Sequence, residues 1–166
     1  KSYHTSTQKE IIVFALKGKT AVGFTDNHTL YLNAESTLPD KQFNFSVKPY
    51  LFHSGITSVE YLKEESSNLH LLKHNNFIQF YNLRIGVIDS KFRPYETNKK
   101  LKVDYLLITG KNNIDPNRLL HLFDTKVIIV DNSVPEYLAK HISEQCIKTG
   151  IKVVDTHQSQ AYRIPI

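Results

Sequence analysis

The 166-residue chain contains one cysteine, Cys146. A single thiol cannot close an internal disulfide, and the lack of disulfides leaves the compartment open, since only their presence marks an oxidising one. Cys146 lies in a helix-patterned stretch, where a buried structural thiol is the reading to set against a reactive one. Methionine is absent and the chain opens on Lys1, so it reads as a piece of a longer protein. Glycine and proline number six each, while 40% of residues are apolar and 22% charged. That balance excludes a disordered chain. No run approaches the roughly 18 apolar residues a membrane span needs, and no signal-peptide pattern opens the chain. Phosphate loops of the form GxGxxG or GxxxxGK(S/T) are missing, as are a GxSxG nucleophile elbow and an HExxH zinc helix.

What remains is a patterned, mildly basic sequence with a formal charge of +5. That excess favours anionic partners such as nucleic acid or lipid headgroups. Residues 1–9 are polar and read as a tail, and residues 10–166 as one domain. Ile11–Leu16, Thr20–Thr25 and Thr29–Leu32 are short apolar runs separated by turn residues, the pattern of a β-meander. Residues 35–42 read as a loop. A helix is expected from about Pro49, ended by Gly55. Residues 57–76 are polar and of mixed charge. Two strands follow, Phe77–Tyr81 and Leu83–Asp89, and then a basic loop over 90–102.

From Val103 the chain alternates. A strand over Val103–Thr109 leads to a helix with Asp115 as N-cap and Pro116 at its first position. A strand over Lys126–Asp131 precedes a helix from Val134 to Thr149, with Gly150 just beyond its end. Strands over Ile151–Thr156 and Ala161–Ile166 close the chain. Meander strands followed by β-α-β-α-β predict two sheets with helices outside them, an α/β architecture.

The stretch IIVFALKGKTAVGFTDNHTLYL over 11–32 resembles the opening meander of metallo-β-lactamase-like domains. The order VDYLLITG, PNRLLHLF, TKVIIVDNS, PEYLAKHISEQCIKTG, IKVVDTHQSQAYRI resembles the C-terminal tail of ComEC-type competence proteins, in the manner of Bacteroidetes-like members. The resemblance covers residues 10–166 and rests on pattern and order. It implies a metallo-β-lactamase-like αββα sandwich. It also implies a parent anchored in the inner membrane that passes single-stranded DNA into the cell, with this domain on the periplasmic face. Implied partners are single-stranded DNA, the channel portion of the same polypeptide and other DNA-uptake components.

The family hallmark HxHxDH, which grips two divalent metals, is absent. In one register the segment that carries it is reduced to the polar stretch 57–76, Asp89 keeps the bridging position, and the family's histidine pair falls on Gly110-Lys111. In another register the hallmark falls on TGKNNID over 109–115, where Asp115 is the lone ligand-type residue. The expectation is a reduced, non-catalytic domain with no cofactor, which assists DNA positioning or channel assembly. The alternatives are a nuclease acting on the untransported strand through a non-standard Asp site, and a structural module without DNA contact.

Two sets of residues carry these readings. Asp89, Asp131 and Asp155 each follow an apolar strand, and parallel strands would end them at one sheet edge, where three carboxylates suit Mg²⁺ or Mn²⁺. The competing reading is that each caps the turn after its strand. The basic set is Lys91, Arg93, Lys99, Lys100, Lys102, Lys111 and Arg118, with Phe92 and Tyr95 among them. Cations interleaved with aromatics can hold single-stranded nucleic acid, or simply form a solvated loop with Glu96 offsetting part of the charge. Of the eight histidines, His70 and His74 would share a face if helical, but two ligands do not make a zinc site.

Overall fold

A computed structural model describes residues 8–158 and 160–166. Of the polar tail, residues 1–7 lie outside the described residues, and Lys9 already belongs to the first strand.

The meander forms as its pattern predicts. Strands β1 (Lys9–Val13), β2 (Ala21–Asp26) and β3 (Thr29–Ala34) pair antiparallel. β4 (Ser58–Tyr61) adds parallel to β3, and β14 (Tyr162–Pro165) adds antiparallel to β1. The order is β14-β1-β2-β3-β4. This sheet is covered on both faces, so its central strands read as unbroken apolar runs. Ile11, Val13, Val22 and Phe24 point into one core, while Ile12, Leu30 and Leu32 point into another. Gly23 sits at a close approach. A Cβ there would lie 2.5 Å from Leu30 Cδ1 and 3.0 Å from Ile12 Cγ2, so a larger residue would push the strand off its neighbours.

The second sheet has the order β13-β12-β10-β8-β7-β6-β5. Its antiparallel part is β5 (Glu65–Ser67), β6 (Leu71–His74), β7 (Phe77–Phe80) and β8 (Leu83–Ile88). From β8 onward it is parallel, through β10 (Tyr105–Ile108), β12 (Val127–Val130) and β13 (Lys152–Asp155). A small parallel pair, β9 (Leu101–Lys102) with β11 (Phe123–Asp124), flanks it. Three two-residue hairpin loops place Asn27, Asn75 and Tyr81 at φ of 56°, 50° and 53°. Asparagine adopts that region readily, whereas for Tyr81 it is an uncommon conformation.

Four layers result. The two sheets face each other across Val13, Phe24, Ile78, Phe80, Leu107 and Ile129. Helices α3 (Pro116–Leu122) and α4 (Glu136–Ile147) cover the outer face of the second sheet through Leu119, Leu122, Ile142 and Cys146. The outer face of the first sheet is covered by a helical segment through Val47 and Tyr50. That segment is an α-turn, α1 (Asp40–Gln42), then a π-helical stretch Phe43–Val47, then α2 (Lys48–Ser54). Among the described residues no helix is long and apolar enough to cross a membrane.

Helix punctuation is local and matches the sequence reading. Asp115 Oδ1 accepts from the Asn117 amide at 3.0 Å, with Pro116 at the first helical position. Gly55 caps α2 at φ of 66°, and Gly150, at φ of 80°, lies in the turn just past the end of α4. Three differences stand out. The helical segment starts at Asp40, inside the expected loop 35–42. The polar stretch 57–76 holds β4, β5 and β6, each only three or four residues long and largely exposed, too short to show a period. His74 therefore lies on a strand with His70 just ahead of it. His70 stacks on Tyr81, ring centroids 4.3 Å apart, and His74 Nδ1 lies 2.8 Å from Glu65 Oε2.

Candidate functional site

Four parallel strands end at one edge of the second sheet. Beyond β8 comes Asp89, beyond β10 Thr109 and Gly110, and beyond β12 Asp131. β13 ends on Asp155, followed by Thr156 and His157. The three aspartates thus reach one edge, as the pattern predicts for parallel strands, though β10 stands between β8 and β12.

Each aspartate performs the same local task. Asp89 Oδ1 accepts from the Lys91 amide at 3.0 Å, Asp131 Oδ1 from the Ser133 amide at 2.9 Å, and Asp155 Oδ1 from the His157 amide at 3.0 Å. These are Asx turns, in which a short carboxylate substitutes for a backbone acceptor as the chain leaves its strand. Asp155 Oδ1 also meets His157 Nδ1 at 2.6 Å. Among the described residues no three His, Cys, Asp or Glu side chains stand together as a metal cage. The positions where the resemblance looks for ligands hold Gly110 and Lys111, and Asp115 is engaged as the α3 cap. This donor set does not fit a two-metal centre.

Asp131 is the exceptional member. It is fully buried. The Ser133 hydroxyl donates to its Oδ1, and Ser133 Oγ in turn accepts from the Gly110 amide at 2.6 Å and lies 2.8 Å from the Thr20 hydroxyl. Thr20 comes from the far sheet, so this cluster ties the two sheets at the edge. Among the described residues Asp131 Oδ2 has no hydrogen-bond partner. Burial pushes the Asp131 carboxyl up to about 6, against the lowering pull of the Ser133 and Thr20 hydroxyls, the Ser133 amide and nearby His157. Alongside, the Thr156 hydroxyl donates to Asn132 Oδ1, and the Thr156 amide to the Val130 carbonyl at 3.0 Å. The edge is therefore polar but closed by its own turns. The Cys146 thiol, buried under α4, is pushed up by desolvation, which removes the thiolate that reactive cysteines need.

The basic set does not form one patch. The connection 90–102 leaves β8 at the C-terminal edge and reaches β10 at the opposite edge, because the two strands are parallel. Phe92 anchors it, 6.1 Å from the Phe123 ring and 6.5 Å from Tyr95. Lys91 and Lys111 are exposed at the C-terminal edge, where Ser90 and Gly110 approach each other. Lys102 lies at the other edge with Arg84, on a pocket of about 130 Å³ lined also by Leu72, Phe77 and Leu101. At about 3.3 Å per residue, the strands between these groups span roughly 15 Å. Arg93 Nη1 donates to the carbonyls of Ser90 and Phe92. Arg118 Nη2 pairs with Glu96 Oε1 at 2.6 Å and also donates to the Tyr95 carbonyl, so its charge is offset. Lys99 and Lys100 are exposed, with Lys99 held in a turn by Thr97.

Sequence reasoning missed two surface features, the apolar pocket at Arg84–Lys102 and two exposed rings, Phe45 and Phe52. The first depends on strands too short to read. The second carried a signal, phenylalanines seven apart on the face opposite Val47, Tyr50 and Ser54.

No curated protein and no solved structure matches the chain. A family model described as the ComEC C-terminal domain matches residues 11–166, nearly the whole length, and the chain belongs to that family.

Proposed function

We propose that this chain is a non-catalytic accessory domain of a ComEC-type DNA-uptake protein. The ComEC family serves competence DNA uptake, and its parent proteins are membrane-anchored. In this reading residues 10–166 are one reduced metallo-β-lactamase-like αββα domain, held on the periplasmic face. It has given up strand cleavage and helps to position incoming single-stranded DNA or to support the channel. The observation that carries the reading is the state of the C-terminal edge. All three aspartates make turns, Gly110-Lys111 stands at one candidate ligand position, and among the described residues no group of three ligand-type side chains gathers around the buried carboxyl with the orphaned oxygen. Two-metal hydrolysis needs both attacking and leaving oxygens clamped by cations, and this edge offers nothing of that kind. Lys91 and Lys111 put two exposed cations at its rim, which suits a phosphate backbone passing by.

Two measurements test this. Titration calorimetry with Mn²⁺ or Zn²⁺ should give no stoichiometric isotherm. A tight one abolished by Asp89→Ala, together with strand cleavage, would return the domain to the nucleases. Fluorescence anisotropy with a labelled single strand should show binding that weakens steeply with salt. Lys91→Glu with Lys111→Glu should weaken it about tenfold, since neutralised phosphates dominate such affinity. An equal loss from Lys99→Glu with Lys100→Glu would extend the contact along the whole 90–102 connection. No binding at low salt would leave only the channel-support role.

A further inference from the structure

The helical segment that covers the first sheet has two unlike faces. Val47, Tyr50 and Ser54 are buried against the sheet, with Phe43 and Leu51 partly so. The opposite face carries Lys41, Phe45, Lys48, Phe52 and His53, all exposed. Phe45 and Phe52 are 83% and 85% exposed, so almost none of either ring packs on this molecule. Among the described residues the one ring that Phe52 meets is that of the neighbouring His53, at 5.9 Å. The tip of the β1–β2 connection, with exposed Lys17 and Lys19, sits beside this segment, because Gln42 Nε2 donates to the Lys17 carbonyl at 3.1 Å. Two projecting rings are thus set among four lysines, and Asp40 is the lone acidic residue of the segment 40–54.

We infer that this face docks on an anionic lipid surface, with Phe45 and Phe52 entering the boundary between headgroups and acyl chains and Lys17, Lys19, Lys41 and Lys48 meeting lipid phosphates. The pattern is that of an interfacial helix, with apolar rings pointing down and long cationic side chains reaching the headgroups around them. Charge complementarity selects this occupant, since neutral or zwitterionic partners would leave the lysines unanswered. Nucleic acid fits less well. Two helical turns separate the rings by roughly 10 Å, about three times the ~3.4 Å spacing of bases along a strand, so they cannot stack on successive bases. A second copy of the chain fits poorly too. Two side chains cover far less than the roughly 800 Å² per partner of a stable interface, and the lysines would face their own kind. The inference is independent of the proposed non-catalytic role and draws only on this face.

The chain contains no tryptophan, which gives a clean probe. Phe52→Trp places one indole on the docking face. Added vesicles of phosphatidylethanolamine with phosphatidylglycerol should shift its emission to the blue and make it quenchable by brominated acyl chains. Vesicles of phosphatidylcholine alone should do neither. In sedimentation with the same anionic vesicles, Phe45→Ser with Phe52→Ser should cut partitioning by about tenfold, and Lys41→Glu with Lys48→Glu by a comparable factor. All four positions are exposed, so thermal unfolding of both variants should match the parent. A probe that stays water-exposed on anionic vesicles, or double variants that partition like the parent, would overturn the inference. So would loss of single-strand binding, in place of vesicle binding, on replacing the two phenylalanines.

Discussion

Two carboxylates are buried in this domain, and they are treated in opposite ways. Glu10, on β1, is 6% exposed. Its oxygens take Arg163 Nε at 3.1 Å and Nη2 at 2.7 Å, the Tyr50 hydroxyl at 2.5 Å and Gln8 Nε2 at 3.1 Å. The Thr25 hydroxyl, 2.7 Å from the Tyr50 hydroxyl, extends the chain, and the Arg163 guanidinium stands over the Tyr50 ring. Burial and Glu10 push the Tyr50 phenol far up. Here a charge inside the fold has a cation and a set of donors, and it joins β14, β1, β2 and α2. Asp131, fully buried at the end of β12, has two hydroxyls and an amide nearby, but among the described residues it has no paired cation and its Oδ2 has no hydrogen-bond partner. The first arrangement gives its buried oxygens a full set of partners. The second tolerates its charge at a cost, and it lies on the very edge where the family resemblance places metal chemistry.

The contrast can be broken at either end. Glu10→Ala should be the most damaging change, costing about 3 kcal/mol in urea unfolding, because it leaves the buried Tyr50 hydroxyl without its acceptor and the half-exposed Arg163 without its partner. Glu10→Gln should cost less, since its amide oxygen can still accept from Tyr50. A loss below about 1 kcal/mol for the alanine variant would mean that Arg163, half in water, finds new partners freely. Asp131→Asn should act in the opposite direction. A carboxyl whose folded value is raised to about 6, from an ordinary value near 4, contributes stability that is full below about pH 4. That contribution disappears as pH rises through about 6. The parent should therefore lose about 2 kcal/mol between pH 4 and pH 7 from this group alone. Asp131→Asn, which cannot ionise, should flatten that slope and be the more stable protein at pH 7.5. Unfolding midpoints across that range check the sign. A variant less stable at pH 7.5 would show that the ionised carboxylate is held by something that Ser133 and Thr20 do not supply.

How much of this is legible in the sequence depends on range. Asp115-Pro116, Gly55 and Gly150 act within one turn, so cap and stop can be read directly. β10 and β12 are unbroken apolar runs and β13 holds a Val153-Val154 pair, and the parallel pairing of these strands with β8 brings Asp89, Asp131 and Asp155 to one edge. Residues 57–76 escape because β4, β5 and β6 are short and exposed, leaving no period to see. The burial of Asp131 escapes for another reason. It depends on Thr20, more than a hundred positions away, and on the Gly110 amide, and nothing local to DNS signals either. The basic connection 90–102 reads as one cluster in sequence because proximity along the chain hides that it crosses the whole sheet. Phe92 packing on Phe123 sets that path, and it is a contact between distant segments.

The smallest expected effect concerns a third carboxylate, intermediate between the two. Asp26, at the end of β2, accepts from the Tyr81 hydroxyl at 2.7 Å, linking the first sheet to the β7–β8 turn of the second. Tyr81 holds φ of 53° with His70 stacked on its ring and Lys9 Nζ 4.6 Å from the ring centroid. Because Asp26 keeps access to water, losing this bond does not strand a charge. Tyr81→Phe preserves the ring, its stack and its backbone strain while removing only the hydroxyl. It should cost about 1 kcal/mol, the usual net value of one hydrogen bond, well below Glu10→Ala. Combining it with Lys9→Ala separates the two contacts, because a cation over a ring acts independently of the hydroxyl. Additive losses in that cycle place the strength of the link in separate contacts. A coupling above about 0.5 kcal/mol would mean that Lys9 acts on Asp26 through Tyr81, making this link a smaller version of the Glu10 network.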